Sequence, residues 1–189
     1  MQEIGILGAG LIGASWATFF AAQGLRVRIF DVNDTVKQQA QMQSVQNLQR
    51  LADLELISRK DAATAEEKLK VVDSLAELLT DVEYVQESVI EDYEIKANVY
   101  QQFEQYAPEA AILGSSSSGL LMTRMQTVMQ HPGRALIAHP FNPPHLIPLV
   151  ELVPGEQTAT ETMETVKAFF LGLGKHPVIL NREVPGHIA

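Results

Sequence analysis

Two groups of residues have the types and spacing to do chemistry. The first is Gly8-Ala9-Gly10-Leu11-Ile12-Gly13, a Gly-x-Gly-x-x-Gly run. Glycines at that spacing allow a tight turn, then close approach of a pyrophosphate to the backbone, then close packing of a helix on a strand. The N–H groups that open the following helix would face the phosphates. Asp31 lies 18 residues past Gly13. A carboxylate there accepts hydrogen bonds from the adenosine ribose hydroxyls and repels a 2′-phosphate. Asn33 and Asp34 add no Arg to counter that repulsion, so the reading is NAD rather than NADP. The second group is His139-Pro140-Phe141-Asn142-Pro143 together with Leu149-Val150-Glu151-Leu152. Glu151 lies in an apolar run, where an unpaired carboxylate is costly. His139, at the end of an apolar run of its own, can donate the N–H that Glu151 needs. An imidazole held by a buried carboxylate is a good general base. The bland alternatives are a packing turn for the glycines and a core histidine with an edge glutamate.

These residues need elements to carry them. Residues 3–7 read as a buried strand, 11–23 as a helix closed by Gly24, and 27–30 as a second strand ending at Asp31. That is a βαβ unit. A long helix is expected over 34–53, with Val36, Met42, Val45, Leu48, Leu51 and Leu54 as its apolar positions. A second helix, over 62–68, folds back on it. Strands follow at 69–72, 84–86, 111–113, 134–138, 149–153 and 176–180. The helices between them are expected at 75–79, from the Asp92 cap to Pro108, at 120–129 and at 160–171. In the helix after Asp92 the apolar face reads as Ile95, Val99, Phe103 and Tyr106. Alternating strands and helices imply an α/β sheet, mostly parallel, wound on both faces.

Composition closes off other classes. Lys and Arg number 14 against 23 Asp and Glu, a formal charge of −9, which argues against bulk binding to nucleic acid or anionic lipid. There is no cysteine, hence no disulfide, thiolate site or Cys nucleophile. Ile4–Leu25 carries no charge over 22 residues. Its early glycines, with Ser15, Thr18 and Gln23, and the acidic Glu3 before it, argue against a membrane span or signal peptide. The expectation is a soluble, cytoplasmic domain. A metal site from His139, His145 and Glu151 has no supporting pattern around it, so none is expected. His131, His176 and His187 read as loop, strand and helix residues without a site.

The two groups, together with Gln86-Glu87-Ser88, Glu91, Lys96 and the serines from Ser115 to Ser118, resemble the NAD-binding domain of the L-3-hydroxyacyl-CoA dehydrogenase family. The likeness runs over essentially the whole chain. It is strongest to the branch that includes lambda-crystallin (L-gulonate 3-dehydrogenase) and L-carnitine dehydrogenase. The resemblance implies a Rossmann-type sheet with a helical-hairpin insertion after the second strand. It implies NAD-dependent oxidation of a 3-hydroxyl to a ketone in a 3-hydroxy acid or acyl-CoA. His139 matches the catalytic base and Glu151 the carboxylate that orients it. Ser118 matches the serine that hydrogen-bonds the substrate oxygen near the nicotinamide, with Ser117 as a rival. Gly8, Ala9, Gly10, Leu11, Ile12, Gly13 and Asp31 match the cofactor turn and the ribose carboxylate. Glu91, Lys96 and Asn142 match further cofactor contacts.

The family's catalytic Asn follows a Pro-Gly-x-Ile motif, and the sequence ends at Ala189 where that Asn would come next. The expectation is therefore a cofactor domain over 1–184, with 185–189 beginning a helix toward an absent, all-helical second domain. Such a chain should bind NADH without useful turnover, and the full-length form should be a homodimer. The rival functional reading is a non-catalytic NAD-binding or crystallin-like structural protein. A lysine-base β-hydroxyacid dehydrogenase would need a Lys on a following helix, for which the sequence gives no context.

Overall fold

The computed structural model describes residues 1–184 and 186. The expected helix start at 185–189, with His187, falls outside the described residues except for Gly186. The strands are β1 (Glu3–Leu7), β2 (Arg26–Phe30), β3 (Leu69–Val71), β4 (Tyr84–Glu87), β5 (Ile112–Ser115), β6 (Ala135–Pro140), β7 (Leu149–Pro154) and β8 (His176–Ile179). The helices are α1 (Leu11–Ala22), α2 (Asp34–Asp53), α3 (Arg59–Glu66), α4 (Leu75–Leu79), α5 (Tyr93–Tyr106), α6 (Met122–Met125) and α7 (Thr160–Gly172). They build one sheet in the order β3-β2-β1-β4-β5-β6-β7-β8. The first six strands in that order run parallel, β7 is antiparallel to β6, and β8 is parallel to β7.

Side chains alternate across the sheet and give it two cores. Ile4, Ile6, Tyr84 and Leu136 pack with Trp16 and Phe20 of α1 and Phe170 of α7. Leu7, Val85, Leu113 and Ile137 pack on the other face with Leu78 of α4, Tyr100 and Phe103 of α5, and Met122 of α6. This is a doubly wound sheet. Its strand order reverses between β1 and β4, and that reversal opens a crevice at the carboxyl ends of the strands, where such folds bind ligands. The α2–α3 pair is the expected insertion between β2 and β3.

Capping follows the sequence. Asn33 accepts from Thr35 and Val36 N–H to start α2, and Ser58, Ser74 and Asp92 do the same for α3, α4 and α5. Gly24, at φ +81°, ends α1 in the left-handed region. Three expectations shift. The expected helix over 120–129 is only α6 followed by a 3₁₀ turn at Gln126–Val128. On α2 the buried stripe is Lys37, Ala40, Ser44, Leu48 and Leu51, while Met42 and Leu54 face solvent. Small residues are needed there because α1 lies close, so that Ser44 Oγ donates to the Ala14 carbonyl at 3.0 Å. On α5 the buried face is Lys96, Tyr100 and Phe103, with Ile95 and Tyr106 exposed. The cause is a buried charge pair at Lys96.

Candidate active site

The cofactor turn joins β1 to α1. Gly8 has φ +92°, and a Cβ there would meet the Ser88 backbone at 2.6 Å, because the chain leaving β4 packs directly on the turn that leaves β1. A Cβ on Gly13 would meet the Gly8 carbonyl oxygen at 2.0 Å, so the helix can approach its own turn only with glycine at that position. Gly10 differs: among the described residues nothing lies within 4 Å of where its Cβ would stand. That space opens in front of the α1 N-terminus, which no side chain caps. Unpaired N–H groups and an open approach suit a pyrophosphate. Leu11 is exposed here, as are Val32 and Ile90 around the same crevice.

Asp31 stands at the end of β2, where its Oδ2 accepts the Ala9 N–H and its Oδ1 accepts the Asn33 N–H, both at 2.9 Å. Each oxygen keeps a lone pair, since a carboxylate has about four acceptor sites. The carboxylate is thus tied to the turn and still able to accept ribose hydroxyls. Lys37 approaches from α2, a cation the sequence reading passed over. Its Nζ is 2.7 Å from Asp34 Oδ1, and this contact, offsetting burial, is the main reason its pKa is raised. The cation is already paired, so the local balance remains acidic. The residues present fit a dinucleotide without a 2′-phosphate.

His139 and Glu151 are directly opposite each other in the antiparallel β6–β7 ladder. His139 Nδ1 donates to Glu151 Oε2 at 2.7 Å, with the histidine side chain 15% exposed and the glutamate 2%. The pairing of strands, rather than the twelve residues between them, brings the two together. Beneath them lies a buried polar network. Tyr84 OH donates to Gln86 Oε1 at 2.7 Å, and Gln86 Nε2 reaches Ser116 Oγ at 2.8 Å and the Ala138 carbonyl at 3.2 Å.

The serine segment follows β5. The parallel β5–β6 register runs to Ser115↔Ile137, so the segment leaves the sheet at the same end as His139. Ser117 is buried and its hydroxyl donates to Glu91 Oε1. Ser118 is exposed, and its backbone N–H donates to the same oxygen at 3.0 Å. Glu91 also accepts from Gly119 and Leu120 N–H, so one carboxylate gathers the whole segment. Burial alone would raise the Glu91 pKa, but the Ser117 hydroxyl, the Gly119 N–H and Lys96 outweigh it and lower it.

Lys96, expected to touch cofactor, is 1% exposed and points behind Glu91. Its Nζ lies 2.6 Å from Glu87 Oε1 and 3.5 Å from Glu91 Oε2. Glu87 is fully buried and further accepts from Val89 N–H at 2.7 Å and Ser115 Oγ at 2.6 Å. The structure therefore gives Lys96 a supporting position: an ammonium between two carboxylates, holding the one that gathers the serines. Glu87 was visible in the sequence only as part of Gln86-Glu87-Ser88, without a role. Asn142 is exposed in the β6–β7 connection.

Fold and site together define a dinucleotide-binding α/β domain with a histidine–carboxylate pair at the ligand end of its sheet. A family model, the NAD-binding domain of 3-hydroxyacyl-CoA dehydrogenase, matches residues 3–184, and the chain belongs to that family. It is 35% identical over 189 residues to an L-carnitine dehydrogenase of Oceanobacillus iheyensis, covering 100% of this chain and 60% of the relative. It is 37% identical over 186 residues to a lambda-crystallin homolog of Bos taurus, covering 97% and 57%. A (S)-3-hydroxybutyryl-CoA dehydrogenase from Ralstonia eutropha superposes with a TM-score of 0.94 at 30% identity, covering 100% of this chain and 66% of that one. The chain thus spans roughly three fifths of the length of the curated relatives it matches.

Proposed function

We propose that this domain serves an NAD-dependent dehydrogenase that oxidises a 3-hydroxyl to a ketone in a small 3-hydroxy acid or its CoA thioester. The observation that carries the reading is the His139–Glu151 bond across β6 and β7, at the same end of the sheet as the Gly8–Gly13 turn. In this reading the turn and the α1 N-terminus hold the pyrophosphate, and Asp31 holds the adenosine ribose. NAD, when bound, supplies the hydride acceptor. His139 accepts the proton of the substrate hydroxyl at Nε2. Glu151 keeps the ring oriented through Nδ1 and stabilises the imidazolium that forms, which matters more because both groups are shielded from water. Ser118, exposed in the segment that follows β5, hydrogen-bonds the reacting oxygen, while the Ser117 hydroxyl donates to Glu91. Asn142 contacts the nicotinamide ribose. Glu91 fixes the serine segment, and Lys96 fixes Glu91. We further propose that turnover, and a homodimer, require the additional length that the relatives have.

The test has two arms. NADH titrated into the chain should bind more tightly than NADPH. In a form carrying the relatives' second part, NAD reduction read at 340 nm should proceed with one of (S)-3-hydroxybutyryl-CoA, L-carnitine or L-gulonate. Equal affinity for both cofactors would sink the first arm, and a His139→Gln variant with native turnover would sink the second.

A further inference from the structure

The connection between His139 and Glu151 is held from two sides by groups that the proposed chemistry does not use. On one side is α1. Ser15 Oγ lies 2.6 Å from His145 Nδ1 and also accepts the His145 backbone N–H at 3.4 Å. The hydroxyl thus ties both the ring and the backbone of His145 to α1. Burial, and then the nearby Lys175, lower the His145 pKa, which favours the neutral ring.

On the other side is Lys175, between the end of α7 and the start of β8. It is 2% exposed. Its Nζ donates to the Ile147 carbonyl at 2.7 Å and to the Pro144 carbonyl. It stands 4.1 Å from the Phe19 ring centroid and 5.2 Å from that of Trp16, both on α1. Among the described residues no carboxylate lies within ion-pair distance of it. A buried ammonium without a counter-charge is costly. Carbonyl dipoles and ring faces offset part of that cost. Burial still pulls the Lys175 pKa down to about 8. A packing role would be filled as well by Met or Leu, which carry no such cost. What an ammonium adds is direction: it draws two carbonyls of one loop to a fixed point above α1.

We propose that Lys175 and the Ser15–His145 pair form a clamp that sets the pose of residues 141–148, and with it the position of Asn142 relative to the cofactor turn. Lys175 is a positioning residue that acts through the loop. The clamp joins three parts that the site needs in register: α1, whose N-terminus faces the phosphates; the loop that carries Asn142; and the β6–β7 ladder that aligns His139 with Glu151. The inference rests on the proposed reading of Gly8–Gly13 as the NAD site and of Asn142 as a contact to its nicotinamide half.

The test compares NADH with ADP, which lacks the nicotinamide half, on the wild-type chain and on Lys175→Met and His145→Ala. Lys175→Met should weaken NADH about tenfold by loss of preorganisation and leave ADP within about twofold. His145→Ala keeps the buried cation and removes only the tie to α1; it should weaken NADH about threefold on the same argument, again sparing ADP. It also keeps the proposal falsifiable if Lys175→Met does not fold. NADH affinity unchanged in both variants would overturn the clamp while leaving the NAD site standing. Parallel losses for NADH and ADP, with a lower thermal midpoint, would reduce Lys175 to a structural residue and also overturn it. A wild-type chain that binds neither ligand would overturn the NAD reading and the clamp with it.

Discussion

The cofactor turn and the histidine corner are built from opposite materials. The turn is a backbone device: its parts are glycines, the N–H groups of α1 and one carboxylate, all within the first 31 residues. What matters there is the absence of side chains, since a Cβ at Gly13 would sit 2.0 Å from a carbonyl oxygen. The corner is a side-chain device: two strands align His139 with Glu151, Glu91 gathers the serines, and Lys96, Lys175 and Ser15 brace the surroundings from two helices and one loop. A local backbone motif is readable from spacing. In a corner assembled across the sheet, residue types can suggest a pair such as His139 and Glu151, but the supporting contacts become readable only when the strand pairing is known.

The largest expected effect falls on the corner. In a form that turns over, His139→Gln should lower kcat by about 10²-fold or more, the usual contribution of a general base, with NADH affinity unchanged. Steady-state kinetics beside an NADH titration check this, and a matched loss of binding would erase the division between the two regions. Next comes the turn. Gly13→Ala forces α1 away from the Gly8 carbonyl, with an overpacking cost of about 1–3 kcal/mol. NADH affinity should fall at least about tenfold and the thermal midpoint by several degrees. Calorimetry and a melting curve read both, and native binding would show that the close packing is dispensable.

A smaller change sharpens the charge argument. Asp31→Asn keeps a carbonyl that can accept the Ala9 N–H and removes the negative charge. The preference for NADH over NADPH should narrow by up to about tenfold, the size of one charge-assisted contact. Competition titration measures this, and an unchanged ratio would remove Asp31 as the discriminator.

The smallest effect concerns Lys175. Its pKa is about 8 in the fold against an ordinary 10.5. Between those values an unfolded chain holds the proton and the native chain does not, so this group adds stability as pH rises through that window. Below about pH 8 both states are charged and the burial cost is felt in full. Wild type should therefore gain a few degrees of thermal midpoint relative to Lys175→Met between pH 7.5 and 9.5. Parallel curves would show that the ammonium is not strained by burial.

Much of this was legible in the sequence, and the exceptions share a cause. The alternation of strands and helices, the α2–α3 insertion, the cap at Asp92 and the glycine turn follow from local pattern, whereas the strand order and the Asn33 cap come from the structure. The pairing of His139 with Glu151 was readable because a carboxylate in an apolar run demands a partner. The faces of α2 and α5 were read in part: Leu48, Leu51 and Phe103 are buried as expected, while Met42, Leu54, Ile95 and Tyr106 are exposed, because buried positions were sought among bulky apolar residues. In α2 the close approach of α1 selects Ala40 and Ser44, and in α5 a charge pair takes Lys96 inside. Lys175 gave no signal for the same reason: a lone lysine reads as a solvent-facing residue, and its acceptors, the Pro144 and Ile147 carbonyls, are backbone atoms with no residue signature.

The central claim is that the turn and the corner form one site. NMR on the chain tests it without requiring turnover. The His139 ring signals, assigned by their loss in His139→Gln, would be followed while NADH or ADP is added, with the Ala9 and Gly10 amides as markers of occupancy. One site predicts that both ligands move the amides and that NADH alone moves the His139 ring. NADH that saturates the amides and leaves the His139 ring unmoved would contradict it.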